Sequence, residues 1–138
     1  ASPAVYPPAV FAHRVSTSDV SVYWNCSRPG PERLRVEGVI QNMSGGVIQY
    51  AEVETVSVDA RDRAIASMRS GVRDPLLQTN QISPFLMELR TGGAEARIDL
   101  YYEYRLRSFF GPGGLASPQR FRALDVCNET RHRVPRPQ

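Results

Sequence analysis

The chain contains no lysine: all 17 of its basic residues are arginine, set against 14 acids for a net charge of +3. Either arginine-favouring codon usage or a surface that grips carboxylates, phosphates and aromatic faces with planar guanidinium groups accounts for the bias. The arginines are spread along the chain. Arg28, Arg33 and Arg35 cluster, as do Arg131, Arg133 and Arg136, but neither group interleaves aromatics with base in the manner of a nucleic-acid site. The sequence therefore argues against a nucleic-acid partner. It also lacks any run of about 18 apolar residues, so it does not read as membrane-spanning.

Histidine and cysteine are equally sparse, with two of each. No Cys-x-x-Cys motif occurs, and His13 and His132 fall in segments that read as tails, so neither a redox pair nor a zinc site is expected. Cys26 follows the strand-like "DVSVYW" and Cys127 follows "FRALDV". In an exported protein they are expected to form a disulfide, stapling the first strand to the last and stabilising the domain by about 4 to 5 kcal/mol in the chain-entropy picture. The opening "ASPAVYPPAVFAHR" begins without Met and is rich in Ala and Pro, as expected just after signal-peptide cleavage. Export to the periplasm, cell surface or medium is the resulting expectation. Three Asn-x-Ser/Thr triplets, at Asn25, Asn42 and Asn128, would be glycan acceptors in a eukaryotic secretory protein.

A hydrophobic fraction of 41% in 138 residues supports one domain with a real core. Its pattern has a period of two. Val20, Val22 and Trp24 alternate with polar residues, as do Leu34, Val36, Gly38 and Ile40, then Phe85, Met87 and Leu89. The clearest strand spans 96–110, with Ile98, Leu100, Tyr102, Tyr104 and Leu106 on one face and Asp99, Tyr101, Glu103, Arg105 and Arg107 on the other. Gly38 inside a strand predicts a bulge or a close backbone approach. Residues 42–46 predict a tight turn. Between 47 and 60 the apolar set slips from Ala51 and Val53 to Val56, Val58 and Ala60, which predicts a bulge near Glu54 and Thr55. Residues 60–71 are read as a turn and a strand. The expected fold is all-β, an antiparallel immunoglobulin-like β-sandwich of about seven strands spanning 15–127. It is flanked by an extended Pro-rich arm, 1–14, and an Arg/Pro-rich tail, 128–138.

With the strands placed, "VEGVIQNMSGGVIQYAEVETVSVDARDRAI" and "ISPFLMEL" resemble the core of FxLYD-type domains, and more distantly the immunoglobulin-like or fibronectin-like modules of bacterial envelope proteins and the late-embryogenesis-abundant type 2 proteins. The resemblance covers residues 34–106, about half of the chain. Where the family name places an aromatic-Leu-Tyr-Asp run, this sequence has Val56-Ser57-Val58-Asp59, so only Asp59 matches. The resemblance implies a sandwich in an envelope setting and no catalytic residue.

Chemistry is scarce in the sequence. Serines abound, but a nucleophile needs a base beside it, and the histidines read as tail residues. Asp59, Asp62 and Asp74 could gather around a hard cation, yet nothing matches a calcium loop. "GPGGLASP" has neither the lysine nor the following helix of a phosphate loop. The expectation is no cofactor, no metal and no enzymatic activity. What remains is surface: Tyr101, Arg105 and Arg107 on one strand face, followed by Phe109 and Phe110, form a candidate contact patch, because aromatics and arginine concentrate at binding hot spots. The expected function is a protein-binding or structural module within an envelope or surface complex. The alternative is a small-ligand or glycan binder using the loop 109–118, with a hydrolase third.

Overall fold

The computed structural model describes residues 7–107 and 118–128. Among the described residues nine strands in chain order carry the fold: β1 (His13–Ser16), β2 (Val20–Gly30), β3 (Arg33–Asn42), β4 (Val47–Val58), β5 (Ala64–Gly71), β6 (Leu76–Leu77), β7 (Ile82–Arg90), β8 (Arg97–Arg107) and β9 (Gln119–Ala123). They form two antiparallel sheets. One has the order β1-β2-β3-β7; the other has the order β5-β4-β8-β9, with β6 also pairing with β4. This is the immunoglobulin-like sandwich expected from the alternation.

The inward residues of both sheets meet in one core. Trp24, Val36, Ile40, Phe85 and Met87 from the first sheet pack in a cluster with Ile48, Val53, Leu100, Tyr102 and Tyr104 from the second. Gly38 marks a close approach and not a bulge: a Cβ there would lie 1.9 Å from the Tyr23 carbonyl oxygen and 2.8 Å from the Phe85 ring. Only hydrogen fits between those strands and the aromatic ring above.

Cys26 and Cys127 form the disulfide, with Cα atoms 5.6 Å apart. Cys26 lies in β2 and Cys127 just beyond β9, so the bond ties one sheet to the other. Beside it the Trp24 indole Nε1 donates to the Val126 carbonyl at 2.8 Å, which satisfies the one polar atom of a fully buried ring.

The structure corrects several sequence expectations. The bulge of β4 is not at Glu54 and Thr55. Its register against β8 shifts between Gln49 and Glu52, and a second shift against β5 falls between Ser57 and Val58. Thr55 and Ser57 point inward and donate to the carbonyls of Met68 and Ala66, at 3.5 and 3.4 Å, while Val56 lies on the outer face. Two buried, satisfied hydroxyls and one outward valine had inverted the apparent phase.

The arm expected over residues 1–14 also changes. His13 and Arg14 belong to β1, and His13 is buried and stacks on Trp24 with ring centroids 5.6 Å apart. Phe11 is 4% exposed and packs on Tyr23 and Val39, across the outer face of the first sheet. Asn25 fixes this approach, accepting from Ala12 N at 2.6 Å and donating to the Val10 carbonyl at 3.4 Å. From Phe11 onward the segment is part of the domain, because its aromatic side chains find apolar cover there.

Candidate functional site

The outer face of the five-stranded sheet carries the polar and aromatic residues that alternation had turned to solvent. The β4–β8–β9 register sets Glu54, Tyr101 and Arg122 side by side, and Glu52, Glu103 and Arg120 in the next row. Ion pairs knit the middle of this face. Arg120 reaches Glu54 and Glu103, both at 3.2 Å, and Arg69 from β5 lies 3.9 Å from Glu52 and 3.6 Å from Glu54. The Arg120 guanidinium also sits 4.8 Å over the Tyr101 ring, so this tyrosine is half-covered.

Toward the Arg97 end the face sinks into a groove of about 590 Å³, with Val56, Ala64 and Leu124 among its apolar lining and Tyr101 and Arg122 on one side. Its other end is built around Asp99, a carboxylate only 1% exposed. Asp99 accepts from Arg97 Nε at 3.0 Å and from the Asp125 backbone N–H at 3.0 Å, and Arg97 Nη1 also donates to Asp62. The hydrogen bonds to Asp99 and then to Asp62 hold the Arg97 guanidinium above its ordinary value, so this cation is fixed and neutralised in place.

At the opposite end the bulge of β4 exposes Tyr50, and β6 places Leu76 beside Gln49. Gln49 in turn faces Arg105 across the β4–β8 ladder, and Val47 faces Arg107.

Of the sequence-derived candidates, the structure places Tyr101, Arg105 and Arg107 on this one face, but not as one cluster. Glu103 separates Tyr101 from Arg105, and Tyr101 belongs to the groove end. Phe109 and Phe110, and the loop 109–118 except Pro118, lie outside the described residues, as does His132. Sequence reasoning missed Tyr50 and Leu76. The signal for Tyr50 was the break in β4 alternation, and Leu76 was hidden as one of two adjacent leucines.

The aspartates offered for a cation are separately committed. Asp59 accepts from the backbone N–H groups of Arg63 and Arg61, both at 2.9 Å, and the first of these leads in holding its carboxyl below the usual range. Asp62 pairs with Arg97, and Asp74 accepts from the Ser83 hydroxyl at 2.7 Å. No cluster of three metal-ligating side chains occurs among the described residues. No helix there is long and apolar enough to cross a membrane.

The three sequons differ in accessibility. Asn25 and Asn128 are partly exposed. Asn42 is fully buried, and its Nδ2 donates to the carbonyls of Gly46 and Leu77, both at 2.8 Å, while its Oδ1 accepts from Ser44 N. In the folded chain the Asn42 amide is committed, one bond holding the turn after β3 at Gly46 and the other tying β6 at Leu77, so the side chain is not presented to solvent.

No protein-family model matches the chain, and no curated protein matches it. Solved structures do. The GAE domain of GGA2p from Saccharomyces cerevisiae superposes with a TM-score of 0.55 at 9% identity, covering 83% of this chain and 94% of that one. The yeast GGA1 GAE domain gives a TM-score of 0.52 at 13% identity, with coverage of 82% and 97%. At such identities the likeness is one of fold.

Proposed function

We propose that the protein is a non-enzymatic, exported protein-binding module, a subunit of an envelope or cell-surface assembly, and that the outer face of its five-stranded sheet is the contact surface. The observation that carries this reading is the asymmetry between the two outer faces. That of the first sheet has its own cover, Phe11 over Tyr23 and Val39, whereas that of the second presents Tyr50, Leu76, Tyr101 and a groove. Exposed aromatics and arginines on a rigid sheet are the composition of a binding hot spot. Export is supported by the Cys26–Cys127 disulfide, since such bonds persist in oxidising compartments. The envelope setting rests on the FxLYD-like pattern of residues 34–106.

The experiment is native isolation from the source envelope with identification of copurifying chains by mass spectrometry. A stoichiometric partner is expected, released when Tyr101 is replaced by alanine. A protein that emerges alone and monomeric overturns the assembly reading. The groove favours a second reading, a small-ligand or glycan site, because about 590 Å³ is within the range of ligand pockets. It relocates that alternative from the loop 109–118 to Val56, Leu124 and Arg122. Protection of the Tyr101 resonances by a glycan panel, without any protein partner, would establish it.

A further inference from the structure

Plain alternation along β4 would turn Tyr50 inward: Ile48 is buried, Gln49 faces out, and the next residue should return to the core. Instead the extra residue of the bulge is Tyr50, with φ at 55° and 62% exposure, and Ala51 takes the inward place. A bulky side chain in the left-handed region is an outlier, and strained residues of this kind concentrate at functional surfaces. A bulge that re-aims an aromatic outward is a device and not a packing accident.

The neighbours of Tyr50 share an unmet chemistry. Pro75 accepts its backbone N–H at 3.2 Å, which brings up Leu76, 45% exposed, while Leu77 beside it fills the core. Across the ladder stand Arg105 and Arg107, which have no ion pair among the described residues. The nearby acids are already engaged: Glu52 and Glu54 with Arg69, Glu103 with Arg120, Asp74 with Arg73. This end of the sheet therefore combines two cations that are uncompensated among the described residues with an exposed aromatic and an exposed aliphatic side chain.

We propose that Tyr50, Leu76, Arg105 and Arg107 form the docking site for an acidic segment of a partner protein that also carries apolar side chains, an inference that rests on the protein-binding reading above. Carboxylates would meet the two guanidinium groups, and apolar side chains would cover Tyr50 and Leu76. Two cations are few for a nucleic-acid backbone, whose binders neutralise several phosphates.

Selection of short random peptides on the full chain, followed by affinity measurement and amide chemical-shift mapping, tests the site. Enriched peptides should combine Asp or Glu with Leu or Phe and shift the amides of Gln49, Tyr50 and Arg105. The double variant Arg105→Glu/Arg107→Glu should weaken them by about tenfold or more at an unchanged melting temperature, and peptides with Lys in place of the acids should regain binding to it. Enriched peptides that lack acidic bias, or that bind the double variant equally well, overturn the docking site while leaving a protein-binding module. No enrichment at all overturns both readings. A single-stranded oligonucleotide bound more tightly than the best peptide assigns the arginines to phosphate and overturns the proposal.

Discussion

Tyr50 holds a left-handed backbone conformation that costs an L-residue with a Cβ about 1–2 kcal/mol. Glycine adopts it freely, so Tyr50→Gly is expected to raise stability by about 1 kcal/mol or somewhat less, after glycine's greater freedom in the unfolded chain is counted. Partner affinity should fall in the same variant. Thermal denaturation decides the first half: a lower melting temperature would mean that the tyrosine ring stabilises the fold by more than its backbone strain costs. Tyr104 illustrates a different residue-scale effect. It is fully buried, its hydroxyl donates to Asp19 Oδ2 at 3.0 Å, and burial pushes the phenol up to about 12. The folded value lies above the unfolded one near 10, so the stability it contributes is complete below about pH 10 and is lost as pH rises through about 12. Urea midpoints at about pH 9 and about pH 11.5 should therefore differ, and Tyr104→Phe should reduce the difference. An unaltered alkaline slope in that variant would assign it elsewhere, with Tyr102, also raised by burial, as the next group to replace. Alternation alone marked Tyr104 as core. Its partner Asp19 was not legible, being 85 residues away in sequence.

Elements were legible where the two faces of a strand differ clearly in polarity. β3 and β8 follow the expected alternation, since their inward residues are mostly apolar and their outward ones mostly charged. In β7, Phe85, Met87 and Leu89 face the core as expected, although Ser83 is buried with them and Leu86 lies on the other face. β4 does not, because Thr55 and Ser57 are buried with their hydroxyls satisfied and Val56 faces the groove. β1 was hidden by its four-residue length and by the prolines before it. Its approach segment has a measurable weight: Phe11→Ala should cost about 3 kcal/mol, in the range of buried phenylalanine truncations. Removing residues 1–14 should accordingly lower the denaturant midpoint, since Phe11 and His13 go with them. If the truncated chain unfolds at the same urea concentration as the whole one, this packing on the first sheet adds nothing to stability.

At the scale of the molecule, the sandwich is closed by contacts between chain segments about a hundred residues apart. The disulfide joins residues separated by 101 positions, and the Trp24 indole bonds to Val126 beside it. Replacing both cysteines with serine should destabilise the fold by about 4 kcal/mol on the loop-entropy estimate. Urea unfolding with and without reductant is the check: equal midpoints would show that sheet packing alone holds the two sheets. The candidate site belongs to this scale as well. Its groove draws on Val56, Arg97, Arg122 and Asp125, and the docking end on Tyr50, Leu76 and Arg105, from four separate strands and their flanks. No local pattern joins these residues, although Tyr101, Arg105 and Arg107 could be placed on one face from β8 alone.

Alternation and composition are enough to fix the class of fold, the inward and outward faces of most strands and the pairing of the two cysteines. Those properties follow from a two-residue period and from counting, which are local or exhaustive. The order of strands in each sheet, the position of the β4 bulge, the burial of Phe11, His13 and Asn42, and the placing of Tyr50 and Leu76 near Arg105 and Arg107 emerge only from the packed fold. Each of these depends on which distant segments hydrogen-bond to one another, and ladder register between separate strands is set by the packing of the whole core.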